Sequence, residues 1–177
     1  MDLDEFNLAP PADARAVAMV WAAIPAWADA LVAGRPYPTV DAAAAAAEQG
    51  AASWTVDDLD AALAHHPRIG QRPTGGGAEA AASRREQSAM GAASDELSAA
   101  MAEANAAYEN RFGRVFLIRA AGRTPEEMLA EARRRLGNDP TAEAAEALGQ
   151  LAQIAVLRLR QALGAGVRAG GATIGAR

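Results

Sequence analysis

The 177-residue chain contains no cysteine and no lysine, and its only histidines are His65 and His66. Without cysteine there is no thiolate nucleophile, no disulfide and no thiolate metal site. All 17 positive side chains are arginine, so no lysine amine can form a Schiff base with a carbonyl substrate or anchor pyridoxal phosphate. Two adjacent histidines are a poor start for zinc, whose helical ligands prefer wider spacing. Carbon–carbon chemistry on this chain is therefore expected to proceed with no metal and no covalent intermediate.

Other scarcities bound the class of protein. Aromatic residues are only 5% of the chain, while hydrophobic residues reach 51%, much of it alanine. Alanine is the best helix former and adds little volume, so closely packed helices are the natural architecture. A formal charge of −5 and a pI near 5.1 argue against a nucleic-acid binder, which needs a basic face. No apolar run approaches the ~20 residues of a membrane-spanning helix. The acidic start, Met1-Asp2-Leu3-Asp4-Glu5, does not read as a signal peptide. The last residues, Gly175-Ala176-Arg177, carry no Ser-Lys-Leu-type peroxisomal address. A cytoplasmic protein of one domain is the expectation, with a core over residues 1–163. From Gly164 onward, five glycines in fourteen residues predict a disordered tail over 164–177.

Helix signals divide the chain. Residues 13–34 read as two short helices broken at Pro25, with Arg35-Pro36-Tyr37-Pro38 as a stiff connector. Thr39 can cap the next helix, whose run Ala42–Ala47 reads as compositional drift. Thr55, with Asp57 and Asp58 in the first turn, opens a helix that delivers His65 and His66 at its end. Residues 67–77, with Gly70, Pro73 and Gly75-Gly76-Gly77, predict a loop. The triple glycine lacks the Gly-Lys-Ser/Thr sequence of a phosphate loop, which leaves a flexible cover as the better reading. A helix bearing Ser83, Glu86 and Gln87 follows, then one over about 94–110. Val115–Ile118 is either extended or buried loop. Thr124-Pro125-Glu126-Glu127 has full helix-start chemistry, and Asp139-Pro140 opens a final helix to Leu163. The sum is an all-α bundle of about seven to eight helices.

Two places stand out chemically. His66 precedes Pro67, which pushes it out of helical geometry and fixes an imidazole where helix gives way to loop. Ser83, Glu86 and Gln87 fall at i, i+3 and i+4, one face of a helix, so hydroxyl, carboxylate, amide and imidazole can converge on one pocket. On the last helix, at about 100° per residue, Leu148, Leu151, Ile154, Ala155, Leu159 and Leu163 form an apolar arc that contains Arg158. A guanidinium there needs an anion or several acceptors. Either a substrate or a buried carboxylate such as Glu86 would meet that need.

The ordered set His66-Pro67-Arg68-Ile69-Gly70, Ser83-Arg84-Arg85-Glu86-Gln87, Asn105, Tyr108, Arg111-Phe112-Gly113 and Val115-Phe116-Leu117-Ile118-Arg119 resembles the OHCU decarboxylases. The likeness continues through Gly122–Leu129, Arg135-Leu136-Gly137-Asn138-Asp139 and Ile154–Leu159. Upstream, Phe6-Asn7 and Arg35-Pro36-Tyr37 fit the family's opening. The resemblance covers roughly residues 6–163. One departure is His65, where a small residue is more usual.

The resemblance implies an all-α fold and cofactor-independent decarboxylation of a ureidoimidazoline, 2-oxo-4-hydroxy-4-carboxy-5-ureidoimidazoline, to (S)-allantoin in urate breakdown. It implies His66, Glu86 and Arg158 as catalytic residues. Substrate contacts fall to Pro67, Ser83, Gln87, Phe116, Leu117, Ile118, Arg119 and Ala120, and a homodimer is possible. The residues by themselves leave two rivals open: a hydrolase or isomerase of a related ureide using the same histidine and glutamate, and a non-catalytic helical binding module.

Overall fold

The computed structural model describes residues 1–64, 68–70, 81–82, 90 and 93–165. Among them are eight α-helices and no strand, as expected: α1 Leu3–Leu8, α2 Pro11–Trp21, α3 Pro25–Ala33, α4 Val40–Ala51, α5 Val56–Leu63, α6 Asp95–Phe112, α7 Pro125–Arg135 and α8 Pro140–Leu163. They belong to two compact units, Met1–Ser53 with the chain from Ile154 onward, and Trp54–Gln153. The helix α8 contributes to both.

In the first unit the start signals behave as their chemistry dictates. Pro11 and Pro25 occupy first-turn positions, where a missing N–H costs nothing. Thr39 accepts from the Ala42 amide at 3.1 Å and opens α4. The short α1 begins on a reciprocal Asp2–Glu5 capping box, a helix that the acidic composition of these residues concealed. The connector after α3 is tied back to α1. Asn7 donates to the Tyr37 carbonyl at 2.9 Å and accepts from the Tyr37 amide at 2.8 Å. Arg35 donates to the carbonyls of Phe6, Ala9 and Val32, satisfying groups that a helix end leaves orphaned.

The alanine run has a packing role. Ala43, Ala44 and Ala47 are fully buried, and the Trp27 indole N–H donates to the Ala47 carbonyl at 3.0 Å. A Cβ placed at Gly50 would lie 3.0 Å from Cδ1 of Trp27. Small side chains on α4 thus admit a large ring from α3, which is why the run is not mere drift.

The second unit is built on α6 and α7. Met101, Ala104 and Tyr108 on α6 pack with Met128, Leu129 and Ala132 on α7 around a core that also holds Ile69, Phe116, Ile118 and Ala120. Ser94 caps α6 at its start. Gly113 ends it in the left-handed region, φ 72°, a conformation glycine adopts without a Cβ penalty. Thr124 and Glu127 form the predicted capping box of α7, and the Asp139 carboxylate receives the first free amides of α8, Thr141 and Ala142, at 3.0 Å. No helix among the described residues is long and apolar enough to cross a membrane.

Candidate functional site

His65, His66, Pro67, Ser83, Glu86 and Gln87 lie outside the described residues, as do residues 71–77 of the expected loop and the tail from 166. The chain on either side of the histidine is described, and it is firmly held. The helix α5 carries Leu59 and Leu63 into the core and closes at Ala64. The second half of the motif is then fixed to α6 twice. Arg68 makes a two-point contact with Glu109, Nε to Oε1 at 2.5 Å and Nη2 to Oε2 at 2.7 Å. The Asn105 amide donates to the Ile69 carbonyl at 2.9 Å. Ile69 itself is buried in the core and Gly70 turns with φ 84°. The sequence Arg68-Ile69-Gly70 therefore has a structural logic of its own: charge clamp, hydrophobic anchor, left-handed turn.

Beside this anchor is a cavity of about 230 Å³ lined by Arg68, Gly70, Ser98, Asn105 and Glu109. The Asn105 Oδ1 is buried and has no hydrogen-bond partner among the described residues.

The five positions Phe116–Ala120 form neither helix nor strand. Val115–Ile118 thus pairs with no strand among the described residues, and three of its four residues, Phe116 to Ile118, are buried. Phe116, Ile118 and Ala120 alternate into the core of their unit, Leu117 is also buried, and Arg119 is half-buried. With the apolar side chains turned into protein, backbone is what this segment has to offer a ligand. Part of that backbone is already engaged. The Leu117 carbonyl accepts from Arg135 Nη1 at 2.7 Å, and the Arg119 amide donates to Gln150 Oε1 at 2.9 Å.

A polar cluster tied to this segment joins Tyr108, Arg135 and Asn138, named above only within the motifs of the resemblance, to Glu143, which the sequence reading did not single out. Arg135 and Glu143 have no exposed surface. Arg135 bonds Glu143 through both Nε, at 2.9 Å, and Nη2. The Tyr108 hydroxyl also donates to Glu143, and the Asn138 amide donates to its second oxygen at 2.8 Å. Burial, and then the bond to Glu143, push the Tyr108 hydroxyl far above the usual phenol range. The Phe116 ring lies 4.8 Å from the Arg135 guanidinium carbon, within cation–π reach.

Arg158 is buried, 6% exposed, as its place in the apolar arc of α8 requires. Among its partners is the Val20 carbonyl, 3.1 Å from Nη1, one of the last-turn acceptors of α2. The surface arginine Arg160 instead pairs with Asp41. Among the described residues no three histidine, aspartate or glutamate side chains are grouped to hold a metal ion.

Comparison with known proteins agrees with this anatomy. Residues 7–160 match the OHCU decarboxylase family. A 2-oxo-4-hydroxy-4-carboxy-5-ureidoimidazoline decarboxylase of Amia calva is 33% identical over 138 residues, 77% of this chain and 79% of that one. A crystal structure of an OHCU decarboxylase in the presence of (S)-allantoin superimposes with a TM-score of 0.69 at 26% identity, over 82% of this chain and 96% of that one. An (S)-allantoin synthase shares the fold, with a TM-score of 0.67 at 20% identity; this chain spans 54% of its length. The chain belongs to the OHCU decarboxylase family.

Proposed function

We propose that this protein decarboxylates 2-oxo-4-hydroxy-4-carboxy-5-ureidoimidazoline to (S)-allantoin in urate degradation, as a carboxy-lyase without a cofactor. The observation that carries the reading is the family match over residues 7–160, which contains every motif named above from Asn7 onward. That match runs through both compact units, which supports treating residues 1–163 as one catalytic domain and 164–177 as a tail. Assembly as a homodimer completes the reading, on the strength of the resemblance.

The substrate needs no external electron sink. Breaking the bond to its carboxylate releases carbon dioxide and leaves an electron pair that spreads into the adjacent unsaturated ring. The protein has to orient that bond, stabilise the developing negative charge and deliver a proton to one face. His66 is assigned proton transfer, because an imidazole titrates near neutrality. Glu86 accepts the hydrogen bond of the substrate hydroxyl or sets the protonation of His66. Arg158 holds a ring or ureido oxygen, or the departing carboxylate. Pro67, Ser83, Gln87 and the backbone of Phe116, Leu117, Ile118, Arg119 and Ala120 seat the heterocycle.

Substrate labelled with ¹³C in its carboxylate tests the reaction against the rival hydrolase. With enzyme, the label should pass into carbon dioxide and bicarbonate faster than in the spontaneous reaction. A labelled carboxylate retained in an organic product would mean hydrolysis or isomerisation, and no acceleration at all would mean a binding module.

A further inference from the structure

We infer that Arg135 and Gln150 are positioning residues that fix the Phe116–Ala120 backbone in the shape that receives substrate. The inference rests on the proposed function, in which that backbone seats the heterocycle. A buried segment without helix or strand has to find partners for its peptide groups elsewhere. Here two of them come from side chains on different helices. Arg135 on α7 donates to the Leu117 carbonyl at 2.7 Å, and Gln150 on α8 accepts from the Arg119 amide at 2.9 Å. The two anchor points flank Ile118, whose side chain is locked in the core, so the peptide groups on both sides of it are held.

The anchors are themselves rigid. The Arg135 fork is held by Glu143 through Nε and Nη2, and Glu143 is held in turn by Tyr108 and Asn138. A long cation fixed in this way keeps its third donor aimed at one carbonyl. A seat built from backbone groups is only as accurate as the contacts that shape it, and a seat that loses its shape receives its ligand less well.

Gln150 is the cleaner probe, because it is half-buried and carries no part of the ion cluster. Gln150→Leu removes the acceptor for the Arg119 amide, whereas Gln150→Glu keeps one. The measurements are steady-state turnover of freshly generated substrate, with thermal melting of each variant. Q150L should raise KM about tenfold, with kcat within about threefold, and should lower the melting point modestly because the Arg119 amide loses its acceptor. Q150E should restore KM to near its original value. A purely structural glutamine would lower the melting point and leave the KM of folded enzyme alone, and that result overturns the inference. So does an equal defect in both variants, since the acceptor would then be irrelevant. Should Q150L not fold, Arg135→Lys is read in the same way. It keeps a charge for Glu143 but cannot span to the Leu117 carbonyl as well, and an unchanged KM overturns the inference. Failure of the decarboxylase reading is seen separately: the unmutated protein then shows no turnover, and the inference falls with it.

Discussion

Arg135 and Glu143 form an ion pair with no solvent-exposed surface on either side, on consecutive helices and joined through two donors of one guanidinium. Removing two charges from water costs several kcal/mol each, and attraction compensates only when the remaining donors and acceptors are also satisfied. Tyr108, Asn138 and the Leu117 carbonyl meet that condition. The expected outcome is a strong non-additivity. Glu143→Leu and Arg135→Met should each lose about 3–5 kcal/mol in urea unfolding, since each strands a buried charge, and the double variant should lose clearly less than the sum. Additive losses would show that the two side chains do not depend on each other.

Tyr108 gives this cluster a pH dependence. Its folded-state pKa is raised above the ordinary value of 10.0, first by burial and then by the bond to Glu143. The unfolded chain therefore releases the phenol proton at lower pH than the folded one. The contribution to stability is complete below about pH 10 and declines as pH rises above it. Burial raises Tyr37 too, so the comparison has to be with a variant. Denaturation at pH 9 and at pH 11 should show a smaller alkaline loss in Tyr108→Phe than in the unmutated protein. Equal losses would remove Tyr108 from the account.

Much of this fold is legible in the caps. Thr39, Thr55, Ser94, Thr124 and Asp139 each start a helix where their side-chain oxygen meets free amides, and Gly113 stops one. What escaped has physical reasons. The capping box Asp2–Glu5 was hidden in an acidic run, and a four-residue apolar stretch at 115–118 is too short to show a period. The burial of Arg135 was hidden in Arg133-Arg134-Arg135, a run that reads as a solvated face. Yet the test that singled out Arg158 would have found it, because Met128, Ala132 and Arg135 are spaced along one buried stripe of α7. Glu143, Ala147 and Leu151 repeat the pattern on α8. Of the expected site, the motif residues His66, Pro67, Ser83, Glu86 and Gln87 remain assigned by resemblance, while the burial of Arg158 and of the 116–118 segment follows from packing.

The two histidines should separate cleanly. His66→Asn should cut kcat by ~10²–10⁴-fold, the usual cost of a lost acid or base, with helical circular dichroism intact. His65→Asn should be mild. The reverse ranking would move the catalytic role to His65.

Arg158→Met tests a guanidinium with a structural bond as well as a proposed substrate contact. Methionine keeps an unbranched apolar stem along the same stripe. Losing the bond to the Val20 carbonyl should cost about 1–2 kcal/mol, while turnover falls by ~10²-fold or more. A loss of roughly 3–5 kcal/mol would mean that the residue neutralises a buried carboxylate. Unchanged turnover would take Arg158 out of the reaction.

The most direct test of the account is the handedness of the product. Purified protein is added to substrate generated in place from urate oxidation, and the circular dichroism of the allantoin formed is followed with time. The account predicts one enantiomer, (S)-allantoin, appearing at a rate proportional to protein concentration. Racemic allantoin at the spontaneous rate, whatever the protein concentration, would contradict it.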